Sequence, residues 1–202
     1  MNIKQNLVAG SKYGVKCPYA MMPQYITIHN TANDASAENE IHYMITNDKA
    51  VSFHIAVDDV GAVQGIPFNR NAWHCGNDRG NTKSIAIEIC YSKSGGTRFD
   101  KAVDNALELT AQLMKQYNIP ASNIMYHATW NGKHCPHRLL DSGVSLDVFR
   151  AKAKAKYISM YEGGSKPMYQ VVVGSFLQKE NANKRIKELK AKGFDAFVQI
   201  KN

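Results

Sequence analysis

Ser84-Ile-Ala-Ile-Glu-Ile-Cys-Tyr91 is the strongest strand signal in this 202-residue chain. In an extended segment Ile85, Ile87 and Ile89 share one face, which places Ala86, Glu88 and Cys90 together on the other. A carboxylate among small apolar neighbours makes little structural sense without a partner, so Glu88 is a candidate functional group. Working outward, Tyr25-Ile-Thr-Ile-His29 alternates in the same way and carries His29 at the carboxyl end of one face. Ser52-Phe-His-Ile-Ala-Val-Asp58 is a further alternating strand, followed by a turn near Gly61 and a short strand, Ala62–Ile66. Ser36 is placed to cap a helix through Ile41, Tyr43, Met44 and Ile45. Gly95-Gly96 breaks the chain before a long helix, about Lys101 to Tyr117, with an apolar stripe through Ala106, Leu107, Leu113 and Met114. Ser145 caps a basic Ala/Lys-rich helix running to about Met160. Strands alternating with helices predict an α/β protein, a central mixed β-sheet flanked by helices. Residues 1–24, polar and interrupted by Gly10, Gly14, Pro18 and Pro23, are expected to form a mostly irregular arm over that body.

The second informative stretch is His127-Ala-Thr-Trp-Asn-Gly-Lys-His-Cys135-Pro-His-Arg138. It follows an extended apolar segment, Ile124-Met-Tyr126, and turns through Asn131-Gly132. A histidine and a thiolate separated by a short Gly-containing loop can converge on one ion, and zinc accepts that nitrogen and sulfur mixture. Two ligands are too few. His29 is the best third candidate, and three protein ligands would leave a fourth position for water, as in catalytic rather than structural zinc sites. The expectation is one zinc per chain, held by His29, His127 and Cys135 in a cleft at one end of the sheet. Taken singly, His29 reads as a strand-end histidine bonded to backbone, Glu88 as a salt-bridged residue and Lys133 as a solvated turn lysine. His127 and Cys135 together have a common explanation in the metal.

Composition bounds the remaining possibilities. A hydrophobic fraction of 44% and a mean hydropathy of -0.38 describe an ordinary globular chain with room for one full domain and a small appendage. No apolar run approaches bilayer length, so no membrane insertion is expected. The sequence from Met1 lacks the apolar region and cleavage site of a secretory signal, so the expected route is synthesis in a bacterial cytoplasm and action elsewhere after release. Cys17, Cys75, Cys90 and Cys135 are irregularly spaced, and are expected to be free thiols, Cys17 and Cys90 as small core groups. The net charge is +8, and residues 166–202 hold eight Lys/Arg against three Asp/Glu, so that tail carries +5 of it. Such a tail suits a polyanion. A nucleic-acid partner is not expected, because the charge sits on lysines of a small unit without aromatic or Arg-rich readout surfaces.

The tail has its own organisation. Glu162-Gly-Gly-Ser-Lys-Pro167 reads as a linker. A strand over 169–173, a helix over 181–192 ended by Gly193, and a strand over 194–200 then form one β-α-β unit. About 35 residues is below the length at which a domain usually folds unaided, so pairing with a second copy is expected. The predicted division is residues 1–160 as catalytic domain, 161–168 as linker and 169–202 as a binding or dimerising unit.

These motifs together carry a specific resemblance. Ile-Thr-Ile-His-Asn-Thr, Ser-Phe-His-Ile-Ala-Val-Asp, Ala-Trp-His-Cys-Gly, Ile-Ala-Ile-Glu-Ile-Cys and the His-(seven residues)-Cys-Pro-His-Arg run resemble the zinc-dependent N-acetylmuramoyl-L-alanine amidases. This is the group of T7-lysozyme-like enzymes and peptidoglycan recognition proteins. The likeness over about residues 1–158 is to Bacillus phage and prophage endolysins, and Cys90-Tyr-Ser-Lys-Ser-Gly-Gly96 extends it. The tail resembles, more loosely, a single repeat of the SPOR-type module. The resemblance implies hydrolysis of the amide between N-acetylmuramic acid and L-alanine in peptidoglycan, with zinc on His29, His127 and Cys135, Glu88 as the catalytic acidic group and Lys133 as the catalytic lysine. Trp73 and His74 match the substrate-contacting rim, and His137 is a further candidate there. His134 points away from Cys135, His54 is expected to be a satisfied structural histidine near the cleft, and His42 a helix-surface group. The tail is expected to hold the enzyme on peptidoglycan or anionic wall polymers. A recognition module that binds peptidoglycan without cutting it has no need of Glu88, Lys133 and Cys135, and a metallopeptidase acting within the stem peptide is the nearest chemical alternative.

Overall fold

In the computed structural model, residues 1, 3–163 and 173–198 are described. The chain divides into two compact units, Met1–Gly164 and Ser165–Asn202. The first is built on one mixed sheet. Its strands are β1 (Ile3–Gln5), β2 (Tyr25–Asn30), β3 (Ile55–Val57), β4 (Ala62–Gln64), β5 (Ser84–Ile89) and β6 (Ile124–Tyr126), in the spatial order β1-β4-β3-β5-β2-β6. Only β3 and β4 pair antiparallel; every other neighbour is parallel. The strand on which the sequence reading turned, β5, lies inside the sheet between β3 and β2, and Ile85, Ile87 and Ile89 are fully buried. Ala86 and Cys90 on its other face are buried too, as a parallel strand covered on both faces requires.

The helices are α1 (Tyr13–Lys16), α2 (Ala37–Thr46), α3 (Asp78–Lys83), α4 (Gly96–Tyr117), α5 (His127–Asn131), α6 (His137–Asp141) and α7 (Leu146–Tyr161). Helix α2 packs on β3 and β4, α4 on β5 and β3, and α7 on α4 and β6. Ser36 caps α2 through Asn39 N at 3.3 Å, while the buried Asp58 carboxylate accepts from Ala37 N at 2.9 Å, a favourable charge at a helix N-terminus. Ser145 caps α7 through Val148 N at 3.3 Å.

Three segments differ from the sequence reading. Helix α4 starts at Gly96, ahead of the expected Lys101, because Gly95 and Gly96 do not merely break the chain. A Cβ on Gly95, whose φ is +71°, would meet the Arg138 guanidinium at 2.5 Å, so glycine there lets that side chain pass. Residues 1–24 are more ordered than an irregular arm: β1 joins the sheet edge beside β4, and α1 delivers Lys16 into the interior. The buried Lys16 ammonium donates to Asn47 Oδ1 (2.9 Å) and to the carbonyls of Lys49 (2.6 Å) and Val51 (3.1 Å), tying α1 to the loop after α2. The segment after β6, read as a turn, forms α5 first. All four cysteines are free, with Cys17 and Cys90 wholly buried.

The second unit contains α8 (Lys179–Ala191). Gly193, at φ +83°, follows its end, and Phe194 N bonds to Leu189 O at 3.1 Å, satisfying a terminal carbonyl. The expected strand over 169–173 lies outside the described residues except for Val173. Of the strand expected over 194–200, residues 194–198 form no ladder with other described residues. No helix among the described residues is long and apolar enough to cross a membrane.

Candidate metal centre and active site

Parallel pairing of β2 with β5 sets His29 directly beside Glu88, and Ala56 of β3 faces Glu88 from the other side. Both polar side chains therefore emerge near the carboxyl ends of adjacent strands, where ligand sites of open α/β sheets form. Beyond β6, the single helical turn of α5 and the left-handed Gly132 (φ +79°) reverse the chain. Ala128 N, a donor with no partner inside so short a helix, bonds to Cys135 O at 2.9 Å. That closure brings Cys135 back beside His127, the first residue of α5. Asn131 pins the turn to the 73–77 loop, donating to Cys75 O at 2.8 Å and accepting from Lys133 N at 3.0 Å.

His29, His127 and Cys135 are all buried, and their ligand atoms lie within 4.8 Å of one another. His29 Nδ1 is 3.1 Å from His127 Nδ1 and 3.8 Å from Cys135 Sγ. Zinc–nitrogen and zinc–sulfur bonds in tetrahedral geometry separate such donors by roughly 3.3–3.6 Å, so these two edges fit a zinc ion. A Cys–His nucleophile pair would need one imidazole; a second ring nitrogen at 3.1 Å is better explained by a shared cation. The protonation chemistry agrees. Burial first, and then the neighbouring imidazoles and Lys133, hold His29 well below the ordinary histidine value. Burial and then Lys133 lower His127 to about 4, with the Cys75 carbonyl opposing them. His127 Nε2 is buried without a hydrogen-bond partner of acceptable geometry. Neutral imidazoles are the ligand form. Burial raises the Cys135 thiol to about 11, so without a cation it is a poor nucleophile; a coordinated thiol loses its proton.

Glu88 Oε1 lies 4.0 Å from His29 Nδ1, and its side chain is 17% exposed, so the carboxyl reaches the cleft from a largely buried position. Its Oε2 has no hydrogen-bond partner in the protein. Burial first and the like charge of Glu40 second push its pKa up to about 8, with Lys133 opposing them. Lys133 stands exposed on the rim, close enough for its charge to act on His29, His127 and Glu88.

The rim residues fall into different places. Trp73 is half-buried, donates Nε1–H to Val15 O at 3.1 Å and packs edge-on against Tyr19. His137 starts α6, half-buried, two residues beyond Cys135. His74, expected as a substrate contact, has both ring nitrogens engaged inside the protein: Nδ1 with His29 Nε2 at 3.0 Å and Nε2 with Gly80 O at 3.1 Å. His134 pairs with Asp141 on the surface at 2.8 Å. His54 is fully buried and satisfied, Nδ1 accepting from Ala86 N and Nε2 donating to Arg70 O, both at 2.9 Å. His42 is exposed on α2.

The α/β domain thus carries a buried His-His-Cys cluster able to hold a metal ion, with a carboxylate beside it at the strand ends. The profile of the N-acetylmuramoyl-L-alanine amidase family matches residues 19–138, more than half of the sequence, and the chain belongs to that family. A profile of the SPOR domain matches residues 146–199, reaching back over α7. The amidase CwlA of Bacillus subtilis (strain 168) is 54% identical over 151 residues, covering 73% of this chain and 56% of that protein. The amidase XlyB of the same strain is 55% identical over 144 residues, 70% of this chain and 45% of that protein. The chain thus spans about half the length of these relatives. Among solved structures, PlyL aligns with a TM-score of 0.74 and 58% identity over 76% of this chain and 97% of that one. The catalytic domain of XlyA aligns with a TM-score of 0.66 and 41% identity, covering 76% and 99%.

Proposed function

We propose that this chain is a zinc-dependent N-acetylmuramoyl-L-alanine amidase, hydrolysing the amide between the lactyl group of N-acetylmuramic acid and L-alanine in peptidoglycan. The observation that carries the reading is the convergence of His29, His127 and Cys135 with Glu88 beside them. One zinc per chain, held by those three residues, would supply Lewis acidity to polarise the scissile carbonyl and to ease loss of a proton from the attacking water near neutral pH. The chain's own groups do the rest. Glu88, whose ionised form an adjacent cation would favour and whose Oε2 is free of protein partners, takes a proton from the attacking water and returns it to the departing L-alanine nitrogen as the C–N bond breaks. The Lys133 ammonium, on the exposed rim, stabilises the negative charge that develops on the carbonyl oxygen. Trp73 and His137, both half-buried, are the proposed contacts to the glycan or stem peptide.

Residues 1–160 carry this chemistry, 161–168 link, and 169–202 hold the enzyme on peptidoglycan or anionic wall polymer and pair with a second copy. The SPOR-domain match and the tail's +5 charge support that role. A peptidoglycan-binding module without hydrolysis is the second reading, and the partner-free Glu88 oxygen disfavours it. Metal analysis tests the site. Purified protein should hold one zinc per chain, Cys135→Ser and His29→Ala should hold far less, and chelation should abolish wall hydrolysis until zinc is returned. Full zinc occupancy in either variant removes that residue from the site.

A further inference from the structure

The ring contacts of His74 impose an order on its neighbour. Gly80 O can only accept, so the His74 Nε2 that faces it at 3.1 Å carries a hydrogen. Above the ordinary imidazole value of about 6.5 a ring carries one N–H, so with that hydrogen on Nε2 facing Gly80 O the His74 Nδ1 is left as an acceptor. That Nδ1 is 3.0 Å from His29 Nε2, which must then be the donor. With the single hydrogen of the His29 ring on Nε2, its remaining nitrogen, Nδ1, holds a lone pair. This is the atom that faces His127 Nδ1 and Cys135 Sγ.

We infer that His74 is a positioning residue whose contact with the Gly80 carbonyl fixes His29 as the Nε2–H tautomer, aiming the Nδ1 lone pair at the metal site. The consequence for metal affinity rests on the zinc reading; the tautomer itself does not. The local fold is built to hold this relay. Asn81 Oδ1 accepts from both His74 N and Cys75 N at 3.0 Å, locking the loop that carries the ring. Gly80 has no room for a side chain, since a Cβ there would overlap Cys75 Sγ and come within 3.0 Å of the Trp130 ring. Its carbonyl can therefore approach His74 only as glycine. Hydrogen-bond partners of metal-binding histidines typically contribute 10–100-fold in metal affinity.

The test uses the full chain. Ring nitrogen NMR shifts of His29 in the metal-free protein should show the Nε2–H tautomer, and His74→Leu should release that preference. By chelator competition, His74→Leu should bind zinc roughly 10–100-fold more weakly than wild type. His74→Asn, which places an amide oxygen near the lost Nδ1, should recover both the tautomer and most of the affinity. An Nδ1–H tautomer in the wild-type protein overturns the inference, as does a His74→Leu protein that keeps wild-type tautomer and zinc affinity. Should His74→Leu fail to fold, the wild-type tautomer and the Asn variant decide. A wild-type chain with the Nε2–H tautomer that binds no zinc would sink the zinc reading alone.

Discussion

His54 makes the fold sensitive to acid by a calculable amount. Its ring is fully buried and lies between Ala86 N and Arg70 O, accepting from the first and donating to the second. Burial lowers its pKa from 6.5 to about 4, against the opposing pull of the Arg70 carbonyl. The unfolded chain therefore takes up a proton near pH 6.5 that the folded chain refuses until about pH 4. The stabilisation is complete above pH 6.5 and drains as pH falls through the window between those values. Each pH unit there costs about 1.4 kcal/mol, so lowering the pH from 7.5 to 5 removes about 2 kcal/mol from this residue alone. Urea denaturation of wild type and His54→Asn at both pH values isolates it. The variant should lose about 1–3 kcal/mol at pH 7.5, from the unmade bond to Arg70 O and the vacated volume. Its further loss on acidification should be smaller than that of wild type by about 2 kcal/mol. His29 and His74 feel the His54 charge, so their own acid losses cancel between the two proteins only in part, whereas His127 cancels. Parallel losses in the two proteins would refute the assignment.

Glu88→Gln should fold and keep its zinc yet lose about 10²–10⁴-fold in turnover, measured as release of soluble muropeptides, because the amide cannot accept the proton. Lys133→Ala should lower kcat about 10²–10³-fold while changing KM little, since the charge it meets exists only in the transition state. Residues 1–160 alone should remain a folded, zinc-loaded amidase, checked by circular dichroism and metal content, because every proposed ligand and every strand of the sheet precedes that end. The full chain should sediment with cell walls better than that truncation, an advantage that added salt erodes, and should scatter light as a dimer.

Much of the architecture was legible because its signals are local. The Ile85-Ile87-Ile89 alternation announces β5, and Ser36 and Ser145 announce their helices through a side-chain oxygen that satisfies a nearby N–H. The convergence of His29, His127 and Cys135 was legible from residue chemistry, since a histidine and a cysteine across a Gly turn call for a third donor. Other features depend on contacts distant in sequence. β1 is three residues long and exists by pairing with β4, which nothing in its own pattern reveals. α5 is a single turn whose stability comes from Cys135 O and Gly132, not from helix propensity. His74 read as a rim residue because its sequence neighbours are Trp73 and Cys75. Its bond to His29, 45 positions away, requires the folded loop. Lys16 carried no signal at all: a lysine buried on three oxygen acceptors looks, in sequence, like any lysine of a polar arm.

The central claim is tested most directly by the bond that is cut. Purified peptidoglycan digested with the zinc-loaded chain, its new ends identified by mass spectrometry, should yield N-acetylmuramic acid with a free lactyl carboxyl and stem peptides with a free L-alanine amine. New ends within the stem peptide, or walls that are bound but left intact, would contradict it.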